Sequence, residues 1–74
     1  MPDQTLDATG LKCPMPVLRA RRALKAMASG AVLELLADDP AAARDVPAFC
    51  EMTGDTLEES RQDGETLIFR IRKS

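Results

Sequence analysis

One thiol of this 74-residue chain stands in a setting that favours chemistry. Cys13 is followed by two prolines at a spacing of two, Pro14 and Pro16, and a helical pattern of apolar residues runs from about Met15 to Ala28. Proline suits the first turn of a helix, because its ring presets φ and the N–H that it lacks would have no intrahelical partner. The spacing therefore predicts that Cys13 lies at or next to a helix start, facing the positive end of the helix dipole.

A thiol in that position is expected to be more acidic than usual. A free cysteine has a pKa near ~8.5, and a helix N-terminus or an adjacent cation can lower it to roughly 3.5–7.5. Lys12 adjoins Cys13 in sequence and is expected to add to this effect. The alternative is that Cys13 is only a small packed side chain. The second proline, the Gly10-Leu11-Lys12 turn and the basic helix that follows favour the reactive interpretation.

The composition limits what such a thiol can do. The chain contains no histidine, which excludes Cys–His catalysis within the chain and any zinc site that uses histidine. Two cysteines with scattered acidic residues make a poor metal site, and the sequence indicates no metal and no cofactor. If Cys13 reacts, the dipole, nearby cations or a partner protein must activate it.

The termini and the apolar pattern bear on location. Residues 1–4 carry no basic side chain and no apolar segment follows them, so we expect no signal peptide and a cytoplasmic protein with free thiols. No apolar run approaches the roughly 20 residues that span a bilayer, so no membrane association is expected.

Charge is unevenly distributed along the chain. Residues 1–30 carry +3, residues 31–64 carry −7 and residues 65–74 carry +2. The basic set is too small for direct nucleic-acid binding to be the main function. A local basic patch around the first helix is compatible with an acidic protein partner.

Apolar periodicity predicts six elements in the order β-α-β-α-β-β, in a single domain of residues 1–74. The ranges are strands at 4–8, 31–37, 55–62 and 65–72, a helix at 15–28 ended by Gly30, and helical segments within 41–53, ended by Gly54 and broken near Asp45 by Pro47. Asp63-Gly64 predicts a tight turn between the last two strands. The fold class is α+β, a two-layer α/β sandwich with both helices on one face of a mixed four-stranded sheet.

Side-chain patterns predict which residues face the core. Inward positions are Leu6, Ala8, Val17, Ala20, Leu24, Met27, Ala28, Leu33, Leu35, Val46, Phe49, Cys50, Thr53, Leu67, Phe69 and Ile71. Cys50 is therefore expected to be a core thiol. Val32 and Leu36 are expected to be buried on the other face of the second strand, the alternative being an exposed contact surface. Four basic residues fall off the stripe of the first helix, where they form either a solvated face or a docking patch: Arg19, Arg21, Arg22 and Lys25.

Three segments at their observed spacings resemble a known family. They are Gly10-Leu11-Lys12-Cys13-Pro14-Met15-Pro16, Asp38-Asp39-Pro40 and Asp45-Val46-Pro47-Ala48-Phe49-Cys50. Together they are similar to the TusA/SirA-like small sulfur carriers, a resemblance that covers about Leu6 to Arg72. The family has the two-layer fold described above. One departure is that many relatives carry Gly-His after the second helix, where this chain has Gly54-Asp55.

The resemblance implies a function and partners. Cys13 would take up sulfur as a persulfide from a donor, typically a cysteine desulfurase or a rhodanese-type protein, and hand it to an acceptor protein. Relatives serve 2-thiouridine formation in tRNA, molybdenum-cofactor supply or sulfur oxidation. Two alternatives stay open: an interaction module without sulfur cargo, and a redox switch that pairs Cys13 with Cys50, which requires Cα atoms closer than about 7 Å.

Overall fold

The computed structural model describes residues 2–74 and contains one four-stranded mixed sheet and two helices. The elements are β1 Gln4–Asp7, α1 Met15–Lys25, β2 Val32–Ala37, α2 Ala42–Thr53, β3 Thr56–Asp63 and β4 Thr66–Arg72. The strand order is β1-β2-β4-β3, with β1 parallel to β2 and the other pairs antiparallel. The predicted fold class is confirmed. No helix within residues 2–74 has the length and hydropathy needed to cross a bilayer.

The core lies between one face of the sheet and the two helices. Leu33 and Leu35 of β2 are fully buried, as is Ile71 of β4, because these central strands are flanked on both sides. The residues that the helices and edge positions add to this cluster are Ala8, Ala20, Leu24, Ala42, Val46, Phe49 and Cys50. The predicted inward residues of β4 and the core position of Cys50 are confirmed. Two predicted core residues, Ala28 and Thr53, are exposed.

The opposite face of the sheet carries no helix. Val32 and Leu36 lie there and are half-buried. An ion pair between Glu34 and Arg70 at 3.3 Å crosses the same face. Ile68 is buried there as well. The prediction of burial for Val32 and Leu36 is thus met only in part.

The end of α1 differs from the prediction. The helix stops at Lys25 and closes through short-range bonds, Ala26 N–H to the Ala23 carbonyl and Met27 N–H to the Leu24 carbonyl. Such i→i+3 bonds tighten a last helical turn without glycine. Gly30 has the expected positive φ of +85°. It lies in the turn before β2, where its N–H donates to the Lys73 carbonyl at 2.8 Å, so it is not the helix cap.

The predicted break in the second helix is wrong. Helix α2 is continuous from Ala42 to Thr53 and contains Pro47. The carbonyl that a residue 47 N–H would have reached belongs to Ala43, which is exposed and can be hydrated instead. Gly54 ends the helix with φ +82°, as predicted, and its N–H donates to the Cys50 carbonyl. In the hairpin turn between β3 and β4, Asp63 pairs with Thr66 and the turn encloses Gly64 and Glu65.

Candidate functional site

The two parallel strands bring the chemistry of the chain to one edge of the sheet. Strand β1 ends at Asp7 and the following loop leads to Cys13, just before α1. The neighbouring strand β2 ends at Ala37 and is followed by Asp38 and Asp39. Residues 8–13 form the loop that carries Cys13, which we call the thiol loop. Because parallel neighbours end at the same edge of the sheet, the thiol loop and the carboxylates of Asp38 and Asp39 meet there.

The carboxylates hold the thiol loop at two points. Gly10 N–H donates to the two carboxylate oxygens of Asp38, at 2.9 and 3.1 Å. Cys13 N–H donates to Asp39 Oδ2 at 2.8 Å. The second oxygen of Asp39 accepts the Ala41 N–H at 3.0 Å, at the turn that leads into α2. One side chain therefore connects the cysteine backbone to the start of the second helix.

The two prolines begin α1 as predicted. Pro14 is the N-cap residue and is exposed, whereas Pro16 lies in the first turn and is buried. Neither proline has an N–H, and the Met15 N–H donates to the Lys12 carbonyl at 2.9 Å. These three positions therefore offer no amide donor to a sulfur anion. Cys13 therefore lies next to the helix start, as predicted, but this helix start stabilises a thiolate less than one with free N–H groups would.

The predicted direction of the Cys13 pKa is wrong. Cys13 is half-buried, and this partial burial is the main cause that raises the pKa of its thiol to about 11. Asp45, in the first turn of α2, raises it further as hydrogen-bond acceptor and as negative charge. The charge of Asp39 acts in the same direction, and Arg44 opposes them. Cys13 is therefore a neutral thiol at neutral pH.

Lys12 acts on the carboxyl of Asp39 and not, as predicted, on the thiol of Cys13. Its charge contributes to lowering the pKa of the Asp39 carboxyl, after the larger effect of the hydrogen bonds from the Cys13 and Ala41 N–H groups. It does not figure among the influences on the thiol of Cys13. Lys12 thus stabilises the carboxylate that holds the thiol loop.

The four basic residues of the first helix are exposed and lie along three surface depressions. Arg19 and Arg22 line a groove between β1 and α1, with Leu6 and Met15. Arg21 lines the α1–α2 groove, whose other walls include Pro14, Leu18, Val17, Asp45, Phe49 and Met52. Lys25 lines a third depression near Asp55 and the C-terminus. The predicted patch is therefore spread over both flanks of α1.

Exposed apolar side chains accompany these arginines. Met15 is 39% exposed, Leu18 is 48% exposed and Met52 is 87% exposed. Leu18 lines both the β1–α1 groove and the α1–α2 groove, and Pro14 beside Cys13 lines the second. Apolar area of this kind next to a thiol and among arginines is typical of a protein-contact surface.

Cys50 lies in the core, and Asp55 directly follows the glycine that ends α2. Cys50 is 3% exposed, and burial is the main cause that raises its pKa to about 11. Asp55 accepts hydrogen bonds from the Ser74 N–H at 2.9 Å and from Thr53 Oγ1 at 2.8 Å. Asp55 therefore has a structural part here, since it ties the end of α2 to the C-terminus.

Three acidic residues at the site were not predicted from sequence. The sequence marks Asp38, Asp39 and Asp45 only as parts of the family-like segments, and Asp45 also as the place of a helix break. The available signal was their place directly after β2 and at the start of α2, the edge at which Cys13 also lies. Their contacts with the thiol loop depend on residues more than 25 positions apart, which no local pattern reports.

Comparison with known proteins gives consistent results. The family model for Sulfurtransferase TusA matches residues 4–73. The sulfur carrier protein TusA of Allochromatium vinosum is 50% identical over 72 residues, which cover 97% of this chain and 95% of that protein. The TusA of Pseudomonas putida is 42% identical, with 97% and 90% covered. A crystal structure of a SirA-like protein from Desulfitobacterium hafniense superposes with a TM-score of 0.81 at 30% identity, covering 93% of this chain and 95% of that one.

Proposed function

The chain belongs to the TusA sulfurtransferase family, and we propose that it is a sulfur carrier whose cargo is one sulfur atom held on Cys13 as a persulfide. The observation that carries the proposal is the half-exposed Cys13 at the junction of the thiol loop and α1, beside grooves that a second protein can enter. Cys50 is unsuited to the same task because it is buried in the core.

Loading is an exchange between sulfur atoms. The Cys13 thiolate attacks the outer sulfur of a persulfide on the donor, and the new S–S bond forms as the S–S bond of the donor breaks. The electron pair of the broken bond leaves on the donor cysteine, which takes up the proton that Cys13 lost. One thiol and one persulfide are present both before and after the exchange, so no oxidant or reductant is needed.

Unloading repeats the exchange with Cys13 as the leaving group. A thiolate of the acceptor protein attacks the outer sulfur of the Cys13 persulfide, and Cys13 departs as a thiolate that is reprotonated. The raised pKa of Cys13 returns the thiol to its neutral form after each cycle. The chain has no histidine to act as the base, and on this proposal the docked partner supplies the proton acceptor.

The partners are proteins on this proposal. A cysteine desulfurase or a rhodanese-type protein serves as donor, and the acceptor belongs to tRNA 2-thiouridine formation, molybdenum-cofactor supply or sulfur oxidation. Docking uses the α1 flanks, where Leu18 supplies apolar contact and Arg19, Arg21 and Arg22 supply charge. Lys25 extends the same charge along the helix. Nucleic acid is not bound directly, because the basic set is small.

Mass spectrometry after charging tests this function. The intact protein is incubated with a cysteine desulfurase and L-cysteine, and the mass gain of one sulfur atom is followed with and without thiol reductant. We expect Cys13→Ser to lose the gain and Cys50→Ser, the matched control, to keep it. Equal loss in both variants, or a gain that survives Cys13→Ser, would contradict the proposal.

A further inference from the structure

Asp39 links the loop that carries Cys13 to the turn that leads into α2. It is half-buried, and its two oxygens accept N–H groups from two different segments, Cys13 at 2.8 Å and Ala41 at 3.0 Å. The first segment carries the thiol and the second leads into α2. A carboxylate that accepts backbone N–H groups makes stronger bonds than a neutral acceptor does.

The same carboxylate has a cost for the chemistry of the thiol. Its negative charge lies near Cys13 and disfavours the thiolate, which is the attacking form. Lys12, Arg44 and Asp45 are the other charged groups that act at this point. If Asp39 mattered only through charge, removing it would speed sulfur transfer. Its hydrogen bond to the cysteine backbone points to a different contribution.

We propose that Asp39 is a positioning residue for sulfur transfer, which fixes the Cys13 backbone against the start of α2 so that the sulfur meets a docked donor in one orientation. This inference rests on the proposed carrier function. Exchange at sulfur requires the attacking, central and leaving sulfur atoms to lie nearly in line. A misplacement of about 1 Å can cost on the order of 100-fold in rate, so one backbone bond at the nucleophile is enough to matter.

Two substitutions separate the bond from the charge. Asp39→Asn removes the charge and keeps one oxygen that can accept the Cys13 N–H, while its NH2 group replaces the oxygen that accepted the Ala41 N–H. Asp39→Ser also removes the charge and still caps the turn at Ala41, but its shorter side chain cannot reach Cys13 as well. Asp3→Ser is the matched control, since Asp3 also accepts a backbone N–H from a distant segment, that of Val32, but at the start of β1 and away from Cys13. Thermal melting of each variant reports folding independently.

The test measures two reactions of Cys13 in a Cys50→Ser background. Iodoacetamide alkylation against pH gives the thiol pKa, and charging by a sulfur-loaded cysteine desulfurase gives the transfer rate, which is then divided by the thiolate fraction. We expect both Asp39 variants to have a lower thiol pKa. The corrected transfer rate should fall about tenfold or more in Asp39→Ser and stay near the wild-type value in Asp39→Asn and Asp3→Ser.

The outcomes separate this inference from the function beneath it. If the wild-type protein gains no sulfur, the carrier function fails. If it does and Asp39→Ser transfers at the wild-type corrected rate, the positioning role fails. If both Asp39 variants are slow, the NMR resonance of the Cys13 amide proton shows whether its hydrogen bond to residue 39 is retained. A retained hydrogen bond in a slow Asp39→Asn overturns the positioning role, and a lost bond in both variants supports it.

Discussion

Asp45, in the first turn of α2, faces the Cys13 thiol and favours its protonated form. Burial of the sulfur is the larger influence, and together they bring the pKa of Cys13 to about 11. At that pKa only about one molecule in ten thousand carries the thiolate at pH 7. The free protein is thus protected from unwanted reactions of its thiol, and a productive encounter must coincide with removal of the proton.

Neutralising Asp45 should make Cys13 more reactive. Asp45→Asn removes a negative charge and a carboxylate acceptor from the thiol, so the pKa of Cys13 should fall from about 11 towards its ordinary value. Each pKa unit raises the thiolate fraction at pH 7 about tenfold. Iodoacetamide alkylation of Cys13 against pH, followed by mass spectrometry in a Cys50→Ser background, measures the shift.

Glu51→Gln is the matched control for that experiment. Glu51 lies on the same helix and is exposed, and it does not figure among the influences on Cys13. Its alkylation profile should superpose on that of the parent protein. Identical profiles for Asp45→Asn and the parent would show that Asp45 does not protect the thiol.

The two thiols should make the folded protein less stable in alkali. The pKa values of Cys13 and Cys50 are raised to about 11 in the folded state, mainly by burial. A group with a raised folded pKa contributes stability below its unfolded pKa and loses it as pH rises through the folded value. Melting temperature should therefore fall between about pH 9 and 11. Cys50→Ala should flatten this decline, and an unchanged slope would contradict the buried-thiol explanation.

Acid should destabilise the protein through the opposite linkage. Hydrogen bonds from the Cys13 and Ala41 N–H groups lower the pKa of Asp39, and those from Thr9 lower the pKa of Asp7. A carboxyl with a lowered folded pKa contributes stability above its unfolded pKa, which is lost as pH falls through the folded value. Melting temperature should decline below about pH 4. Asp39→Asn should decline less steeply than the wild type over that range.

Charge reversal on α1 should weaken docking without harming the thiol. Arg21 lines the α1–α2 groove next to Leu18, and Arg22 lines the β1–α1 groove. Arg21→Glu and Arg22→Glu should slow charging at low concentrations of a cysteine desulfurase and leave the saturated rate unchanged, because they act before chemistry. Rates measured against donor concentration and salt separate these two effects.

Arg61→Glu and Cys13→Ser complete the comparison. Arg61 is exposed on β3, where it pairs with Glu59, so its reversal should leave charging unchanged. Cys13→Ser should still bind the desulfurase but take up no sulfur. Normal sulfur uptake by Arg21→Glu at every donor concentration would remove that side of α1 from the docking surface.

Much of the fold follows from local sequence signals. The two prolines after Cys13 indicate a helix start, Gly54 indicates a helix end, and alternation in β4 identifies Leu67, Phe69 and Ile71 as inward. Each signal acts within a few residues, where backbone preferences and side-chain periodicity are sufficient. The same signals lead to the parallel β1–β2 pair and hence to the edge where the thiol lies.

The electrostatics of the site could not be predicted in the same way. Near Cys13 in sequence there is a lysine and a helix start, which together predict an acidic thiol. The fold instead brings Asp45 and Asp39 to the sulfur from positions 32 and 26 residues away, and burial adds to their effect. A pKa depends on what is near in space, so it follows the packing of α2 against the thiol loop.

Gly54 should be hard to replace although its surroundings are empty. Its φ is +82°, and a Cβ at this position would meet nothing within 4 Å. The cost of Gly54→Ala should therefore come from the backbone alone and amount to about 1 kcal/mol of unfolding free energy. Urea unfolding measures it. Asn tolerates the left-handed region, so Gly54→Asn should lose less than Gly54→Ala, and the reverse order would point to a side-chain contact.

Removing Pro47 should stabilise the protein. Helix α2 continues through Pro47, which leaves the Ala43 carbonyl without its intrahelical donor. An interior proline costs a helix about 3 kcal/mol, and hydration of the exposed Ala43 backbone reduces that cost. Pro47→Ala restores the bond but frees the unfolded chain, which costs about 0.4–1 kcal/mol. Unfolding free energy should rise by about 1 kcal/mol in urea titrations. Ala48→Gly, an exposed neighbour, should lower it, and a loss in Pro47→Ala would mean that packing of the proline ring outweighs the missing bond.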